Sequence, residues 1–453
     1  MTKQGDNHKI PPGMGGLTLL GLLPQFRRNS LQTFNKLSQQ YGHFIRFKGL
    51  LTAYQLTHPR DVEHVLQTNQ QNYRKSRIYA EAKSSLGNGL LISEGDFWRR
   101  QRRLAQPAFH RQHIAGFTKM MTDATEAMLD GWQKYERGGR PLDVVSEMKR
   151  LTLRLVGLTL FGTELGDGMR TISRALEIAR AHFMRRMWQP IRLPMSIPTK
   201  NNRVFLQAIR GAEEVIYRII AEHRQQPKAN QHNLLSMLLR AKDEDTVERM
   251  SDRQLRDELL TIITAGHETT AVALSWTWCL LAQHEDVERK LHEELSSVLG
   301  GRTPTFEDLP DLKYTLMIIE EALRLYPPVW MIGRMAIADD EIDGYRIKAG
   351  SEIILSPYLT QRHADFWDEP GEFKPERFST EEAAARPRFA YFPFGGGARV
   401  CIGNNFALME AQLILATVAQ KYRLRLPPDY VVEPEASFTL HPRQSVLMNL
   451  VKL

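Results

Sequence analysis

The 453 residues contain two cysteines, Cys279 and Cys401, in very different surroundings. Cys401 lies in the run Phe394-Gly-Gly-Gly-Ala-Arg-Val-Cys401-Ile-Gly403, a glycine-rich loop directly ahead of a helix beginning near Asn404. Glycines let a backbone take positive φ and approach a flat partner closely. Loop and helix N-terminal N–H groups aimed at a sulfur favour the thiolate, the form that binds metal. Without that loop, a lone cysteine reads as an inert core residue, as Cys279 does within an apolar helical stretch. A second set of residues is Ala265-Gly-His-Glu-Thr-Thr270. Ala265 and Thr269 are four apart and share a helix face. Glu268 places an acid next to the Thr269 hydroxyl, a pair able to hold water and relay protons. The competing reading has Thr269 and Thr270 bonding only the preceding turn. Gly266 weakens the helix locally and would let carbonyls bend towards water.

Charged residues add three more patterns. Glu321 and Arg324 share one helix face three residues apart, with Pro375-Glu-Arg377-Phe downstream. In Trp98-Arg-Arg-Gln-Arg102, Trp98 and Arg102 share a face, and a guanidinium fork there suits a carboxylate. Arg99, Arg100 and Arg103 read as a solvated basic face. Rival motifs fail: a dinucleotide fingerprint needs a glycine where Val400 stands, and a zinc-protease helix needs a histidine where Ala271 stands.

These residues need long elements to hold them. From Arg253 to His284 the chain is largely apolar past its first turns and free of proline, which predicts a buried central helix. Its 32 residues would span about 48 Å. A further helix is predicted over Asp311–Tyr326, stopped by Pro327-Pro328, and a last one from just after Cys401 to about Tyr422. Residues 43–58 predict two short strands around Gly49, Ile342 to Pro357 turns β-like, and the tail from 423 alternates as strand does. The expectation is one large, mainly α domain over 1–453 with a small β side. Residues 1–60 and 340–360 form mainly the sheet side, 61–330 and 400–422 are mainly helical, and 364–403 is a meander ending in the cysteine loop.

The 60 Lys+Arg against 52 Asp+Glu give a formal net charge of +8, diluted over a long chain. No basic run with interleaved aromatics occurs, so no nucleic-acid partner is expected. Two cysteines predict a reducing compartment rather than a disulfide scaffold. Met14 to Leu23 is about half the length of a membrane span, so a packed N-terminal segment and a soluble, cytoplasmic monomer are expected.

The cysteine run resembles the haem-ligand signature F-x-x-G-x-R-x-C-x-G of the cytochrome P450 family at Phe394, Gly397, Arg399, Cys401 and Gly403. The other motifs agree in order, so the resemblance spans nearly the whole chain. It implies the cytochrome P450 fold and haem b (iron protoporphyrin IX) with the Cys401 thiolate as axial ligand, which favours O–O cleavage. It implies Glu268 and Thr269 as the acid–alcohol pair, Ala265 over the cofactor, and Glu321, Arg324 and Arg377 as a buried structural network. Trp98, Arg102, Arg399 and Arg334 become candidates for the haem propionates. By the same analogy Phe183, Met184, Met187, Trp188, Ile262, Val329, Trp330, Met331 and Phe438 line the substrate pocket. That apolar, Met-rich lining suits a fatty acid or a terpenoid or carotenoid molecule. The implied activity is a monooxygenase using O2, with electrons from a separate ferredoxin or flavodoxin and its NAD(P)H reductase, docked on Arg99, Arg100 and Arg103. A peroxygenase or hydroperoxide isomerase is the alternative, although such relatives replace the acid–alcohol pair. A non-catalytic haem gas sensor or lipid-binding protein is the third.

Overall fold

The computed structural model describes residues 9–453 apart from 50, 188, 190–192, 226–232 and 244–246. These residues divide into two compact units, one made of 9–79, 324–372 and 380–401, the other of 80–323, 373–379 and 402–453.

The first unit is built on a six-stranded sheet. Its strand order is Gly13–Gly15, Phe44–Lys48, Thr52–Leu56, Glu352–Leu355, Ile332–Ala336 and Tyr73–Lys75. The hairpin predicted around Gly49 is present, Phe44 facing Leu56 and Lys48 facing Thr52. Strand Glu352–Leu355 then adds parallel to Thr52–Leu56. Alternating apolar side chains such as Phe44, Tyr54, Ile332 and Ile353 bury one face together with Leu66, Phe389 and Phe392.

The Arg324 guanidinium organises the segment that follows this sheet. Fully buried, Arg324 donates to the carbonyls of Gln361 and Pro370, each at 2.9 Å, and to that of Glu372 at 2.9 Å. Its flat face stacks 4.8 Å from the Trp367 ring. Gln361, equally buried, donates to the Arg324 carbonyl at 3.1 Å and accepts from the Phe392 N–H at 3.0 Å. One planar cation thereby ties residues 361–372 to the strand of chain leading into the cysteine loop.

The second unit is mainly helical. Its central helix runs Asp252–Leu281, about 45 Å long, and opens with a capping box in which Ser251 and Gln254 satisfy each other's backbone N–H. It ends three residues earlier than predicted because His284 turns its Nδ1 back to the Leu280 carbonyl at 2.7 Å. Helix Val144–Phe161 packs along it, close enough that a Cβ on Gly266 would lie 3.2 Å from Val156. The helix is continuous through Gly266, where the missing side chain permits this close helix–helix approach. The predicted helix over 311–326 runs Lys313–Leu325. The last helix runs Asn404–Ala419 and stops short of Tyr422, which enters the strand Tyr422–Arg425 paired with Leu447–Lys452. Within this unit Glu321, fully buried, accepts the Lys374 N–H at 2.9 Å and lies 3.4 Å from Arg377 Nε.

The N-terminal segment departs from expectation. Helix Gly16–Arg28 buries Phe26 against Phe34 and Phe47 but leaves Leu17 86% and Leu20 59% exposed. Its leucines extend beyond the single face that the aromatic cluster covers. No helix among the described residues is long and apolar enough to cross a membrane.

Replacing Arg324 by Ala strips three carbonyls, that of Gln361 buried, of this donor and removes the cation from the Trp367 face. Arg324→Ala should lower unfolding free energy by about 3–5 kcal/mol, read as a reduced denaturant midpoint. An unchanged midpoint would show that the guanidinium does not hold this segment.

Candidate active site

Backbone geometry sets the surroundings of Cys401. Gly395 and Gly397 have φ of 73° and 64°, in the left-handed region that side chains disfavour. A Cβ on Gly397 would overlap the Leu66 carbonyl oxygen, and one on Gly396 would overlap the Phe389 ring. The loop is held by Val400 N–H to the Gly397 carbonyl at 3.1 Å, Cys401 N–H to the Phe394 carbonyl at 2.9 Å, and Ala398 N–H to Gln70 Oε1 at 2.9 Å. Cys401 is exposed, whereas Cys279 is buried and its thiol is pushed up to about 12 by burial. Of the two sulfurs, only Cys401 is presented for coordination. Phe394, Arg399 and Gly403 are half-buried around it in the sequence. Arg334 is buried in the strand Ile332–Ala336 and donates to the Gly333 carbonyl at 3.0 Å.

In the helical unit, the central helix is buried along most of its length but opens at Ala265. Next to this opening lies a small cleft of about 70 Å³ lined by Leu86, Leu176, Phe183, Phe438, His267 and Glu268, with Lys149 and Arg180 contributing charge. The Phe183 and Phe438 rings meet edge to face at 5.9 Å. Glu268, nearly buried, accepts from Thr439 Oγ1 at 3.0 Å and has Arg180 Nε at 3.9 Å. His267 donates Nδ1–H to the Ile263 carbonyl at 2.7 Å, and burial lowers its pKa, so the ring is neutral and its Nε2 lone pair remains available. Thr269 donates its hydroxyl to the Ala265 carbonyl at 2.5 Å, which keeps its oxygen lone pairs as acceptors.

The cleft wall formed by Ala82, Ser85 and Leu86 is positioned by acids of the central helix that sequence reasoning did not single out. Asp257 accepts the Asn88 N–H at 2.8 Å and Glu258 the Leu90 N–H at 3.0 Å. Two adjacent acids in a buried helix were the available signal, since such charges need nearby donors. Gln70, Gln361, Arg180 and Thr439 were likewise not foreseen; each acts through a partner more than 30 residues away in sequence.

The remaining candidates divide. Ile262 is half-buried on the central helix, Met187 ends helix Asp167–Met187, and Met184 is half-buried within it. Trp188 lies outside the described residues. Trp330 is buried against Phe34, 6.2 Å between rings, while Val329 is exposed and Met331 half-buried. Trp98 and Arg102 are half-buried on helix Gly95–Ala105. The basic face expected beside them is not a free one. Arg103 pairs with the buried Asp243 at 2.8 Å, Arg100 lies 3.7 Å from Asp243 and 3.1 Å from Glu248, and Arg99 pairs with Asp96. Acids distant in sequence, Asp243 and Glu248, pair with Arg100 and Arg103, which helix periodicity alone could not reveal.

Glu410 is a further buried acid, wholly inside helix Asn404–Ala419. Desolvation pushes its carboxyl up to about 8, offset only by the Thr270 hydroxyl.

The cytochrome P450 family model matches residues 11–448. Cyclooctatin synthase of Streptomyces melanosporofaciens is 35% identical over 96% of this chain and 93% of its own. Cyclooctat-9-en-7-ol 5-monooxygenase of the same species is 36% identical over 91% and 89%. Pentalenene oxygenase of Streptomyces avermitilis is 34% identical over 95% of each. Among solved structures, the haem domain of cytochrome P450DA superposes with a TM-score of 0.85 and 28% identity, covering 92% of both chains. The chain belongs to the cytochrome P450 family. Its fold is the P450 fold, mainly α with a small sheet portion, and its activity is that of an oxidoreductase of the monooxygenase class. The family uses haem held by a cysteine thiolate. The residues present fit that group: an exposed thiol at the end of a glycine-rich loop whose backbone takes positive φ at Gly395 and Gly397.

Two outcomes follow. Gly397→Val should displace the loop from Leu66 and yield protein with little bound haem, measured as haem per polypeptide; a normal ratio would remove the close-approach argument. For Glu410 the folded-state pKa lies above the unfolded one, so its contribution to stability is full below about pH 4.5 and falls as pH rises towards 8. Glu410→Gln should therefore gain thermal stability relative to the parent on going from pH 5 to pH 8, and a constant difference across that range would contradict the raised pKa.

Proposed function

We propose that this enzyme inserts one oxygen atom from O2 into a cyclic terpenoid, with Cys401 as the haem ligand and Glu268 and Thr269 delivering protons. Bound haem supplies the iron centre at which O2 is reduced and activated. The observation carrying the reading is the apolar cleft walled by Phe183, Phe438 and Leu86 with Glu268 at its edge. Rigid aromatic walls suit a compact hydrocarbon, and relatives named for cyclooctatin and pentalenene chemistry favour a terpenoid over a carotenoid.

Within that cleft each polar group has a distinct task. Thr439 and Arg180 hold the Glu268 carboxylate in place, so that it can take a proton from water entering the cleft. Thr269, its own proton committed to the Ala265 carbonyl, accepts from and orients a water molecule. Phe183 and Phe438 exclude bulk water from the apolar side. Electrons come from a separate redox protein, a ferredoxin or flavodoxin with its reductase. The intact acid–hydroxyl pair favours O2 over peroxide as oxidant. Arg180 and Lys149 support a second reading, a fatty acid whose carboxylate they bind.

Cys401→Ala should abolish the red-shifted Soret band of the reduced carbon monoxide complex and all turnover. Thr269→Ala should retain that band while product formed per NAD(P)H falls about 10-fold or more and hydrogen peroxide rises. Coupled turnover at the parental level in Thr269→Ala would end the proton-relay assignment. A spin-shift titration separates the substrate readings: cyclic sesqui- and diterpenes should bind equally well to the parent and Arg180→Ala, whereas tight fatty-acid binding lost in Arg180→Ala would favour the second.

A further inference from the structure

At the open end of the hairpin Phe44–Lys48/Thr52–Leu56, two histidines and an aspartate from distant parts of the sequence converge. His43, His363 and Asp365 each offer one ligand atom, and these atoms all lie within 4.8 Å of one another. All three belong to the sheet unit and are remote in sequence from Cys401 and from the cleft. We propose that they form a binding site for a divalent transition ion of the zinc class, with His43 Nε2, a ring nitrogen of His363 and the Asp365 carboxylate as ligands and water completing the shell.

Donor chemistry favours this class of ion. Two imidazoles and one carboxylate suit zinc, nickel or cobalt, whereas calcium and magnesium take oxygen ligands. Zinc with three protein ligands and one water is a common open arrangement. His43 Nε2 already lies 3.0 Å from Asp365 Oδ2, and His363 Nδ1 is 3.7 Å from Asp365 Oδ1. Tetrahedral bonds of about 2.0–2.1 Å require ligand atoms about 3.3 Å apart, so small side-chain rotations close the cluster.

Partners beyond the three ligands are also in place. His43 Nδ1 is 3.0 Å from Thr57 Oγ1. A metal at Nε2 requires Nδ1–H to donate, and Thr57 can accept because its own hydroxyl can turn to the His43 carbonyl at 3.4 Å. The His43 and His363 rings lie 4.2 Å apart, tilted by 42°, and Phe366 packs 5.5 Å from both, which restrains the ring planes. The cost of closure is the bond from Asp365 N–H to His363 Nδ1 at 3.2 Å, which yields when that ring turns to metal. Side-chain exposures of 24%, 27% and 60% leave an entry path from solvent.

Position gives the site a consequence. His363 and Asp365 follow Gln361 and precede Pro370 and Glu372, the segment whose carbonyls Arg324 holds. Thr360 donates to the Thr57 carbonyl at 2.9 Å, which with the His43–Asp365 bond ties this segment to the hairpin. An ion shared by His43 and His363 would cross-link the same two segments and brace the chain that Gln361 connects to Phe392.

The test uses untagged, haem-loaded enzyme freed of metal by chelator and dialysis. Zinc added in calorimetric titration should bind with one equivalent per chain and raise the thermal midpoint. Asp365→Asn, an exposed isosteric change, should weaken binding about 10-fold or more, as should His363→Ala, with the carbon monoxide spectrum unchanged in both. His110→Ala, an exposed histidine elsewhere, should bind as the parent does. No binding, or parental affinity in both cluster variants, would overturn the proposal; so would zinc binding that His110→Ala abolishes.

Discussion

A buried guanidinium has no inexpensive alternative to full hydrogen bonding, and Arg324 meets that demand with main-chain carbonyls of residues 361, 370 and 372. Because those carbonyls belong to a stretch with almost no secondary structure, the cation does the work that a sheet ladder does elsewhere. Gln361 passes the constraint on to Phe392, and the bond from Cys401 N–H to the Phe394 carbonyl completes the path to the sulfur. The loop's geometry is thus set by side chain–backbone bonds and by glycines that let it lie against Leu66 and Phe389, not by regular structure.

The helical unit solves a different problem, that of keeping charged groups inside an apolar body. Asp257 and Glu258 each take backbone N–H groups of residues 88 and 90, and Glu268 takes a hydroxyl from the tail and a guanidinium from helix Asp167–Met187. Glu410 lacks comparable donors and is held in its neutral form instead.

Much of this was legible in the residues themselves. Hydrophobic periodicity located the central helix to within a few residues, and turn chemistry located the hairpin around Gly49. The spacing of glycine, arginine and cysteine in 394–403 marked the thiol. What the sequence could not convey was pairing across long separations: that Asp243 neutralises Arg100 and Arg103, that Thr439 and Arg180 meet at Glu268, that Trp330 packs on Phe34. Composition also misled at the N-terminus, where leucines expected inside a packed segment lie on the surface, since an apolar run reports its hydrophobicity but not whether a partner surface exists. Periodicity knows one element at a time, whereas each of these contacts belongs to two.

The contrast between the two sulfurs has a practical side. With its thiol pKa near 12, Cys279 is almost entirely protonated at neutral pH and lies out of reach of reagents. Once Cys401 is engaged, the native chain offers no competing nucleophilic thiol, so a single cysteine introduced on the surface would take a maleimide dye or spin label at one known position. Distances within the working enzyme can be measured that way with no background cysteines to remove.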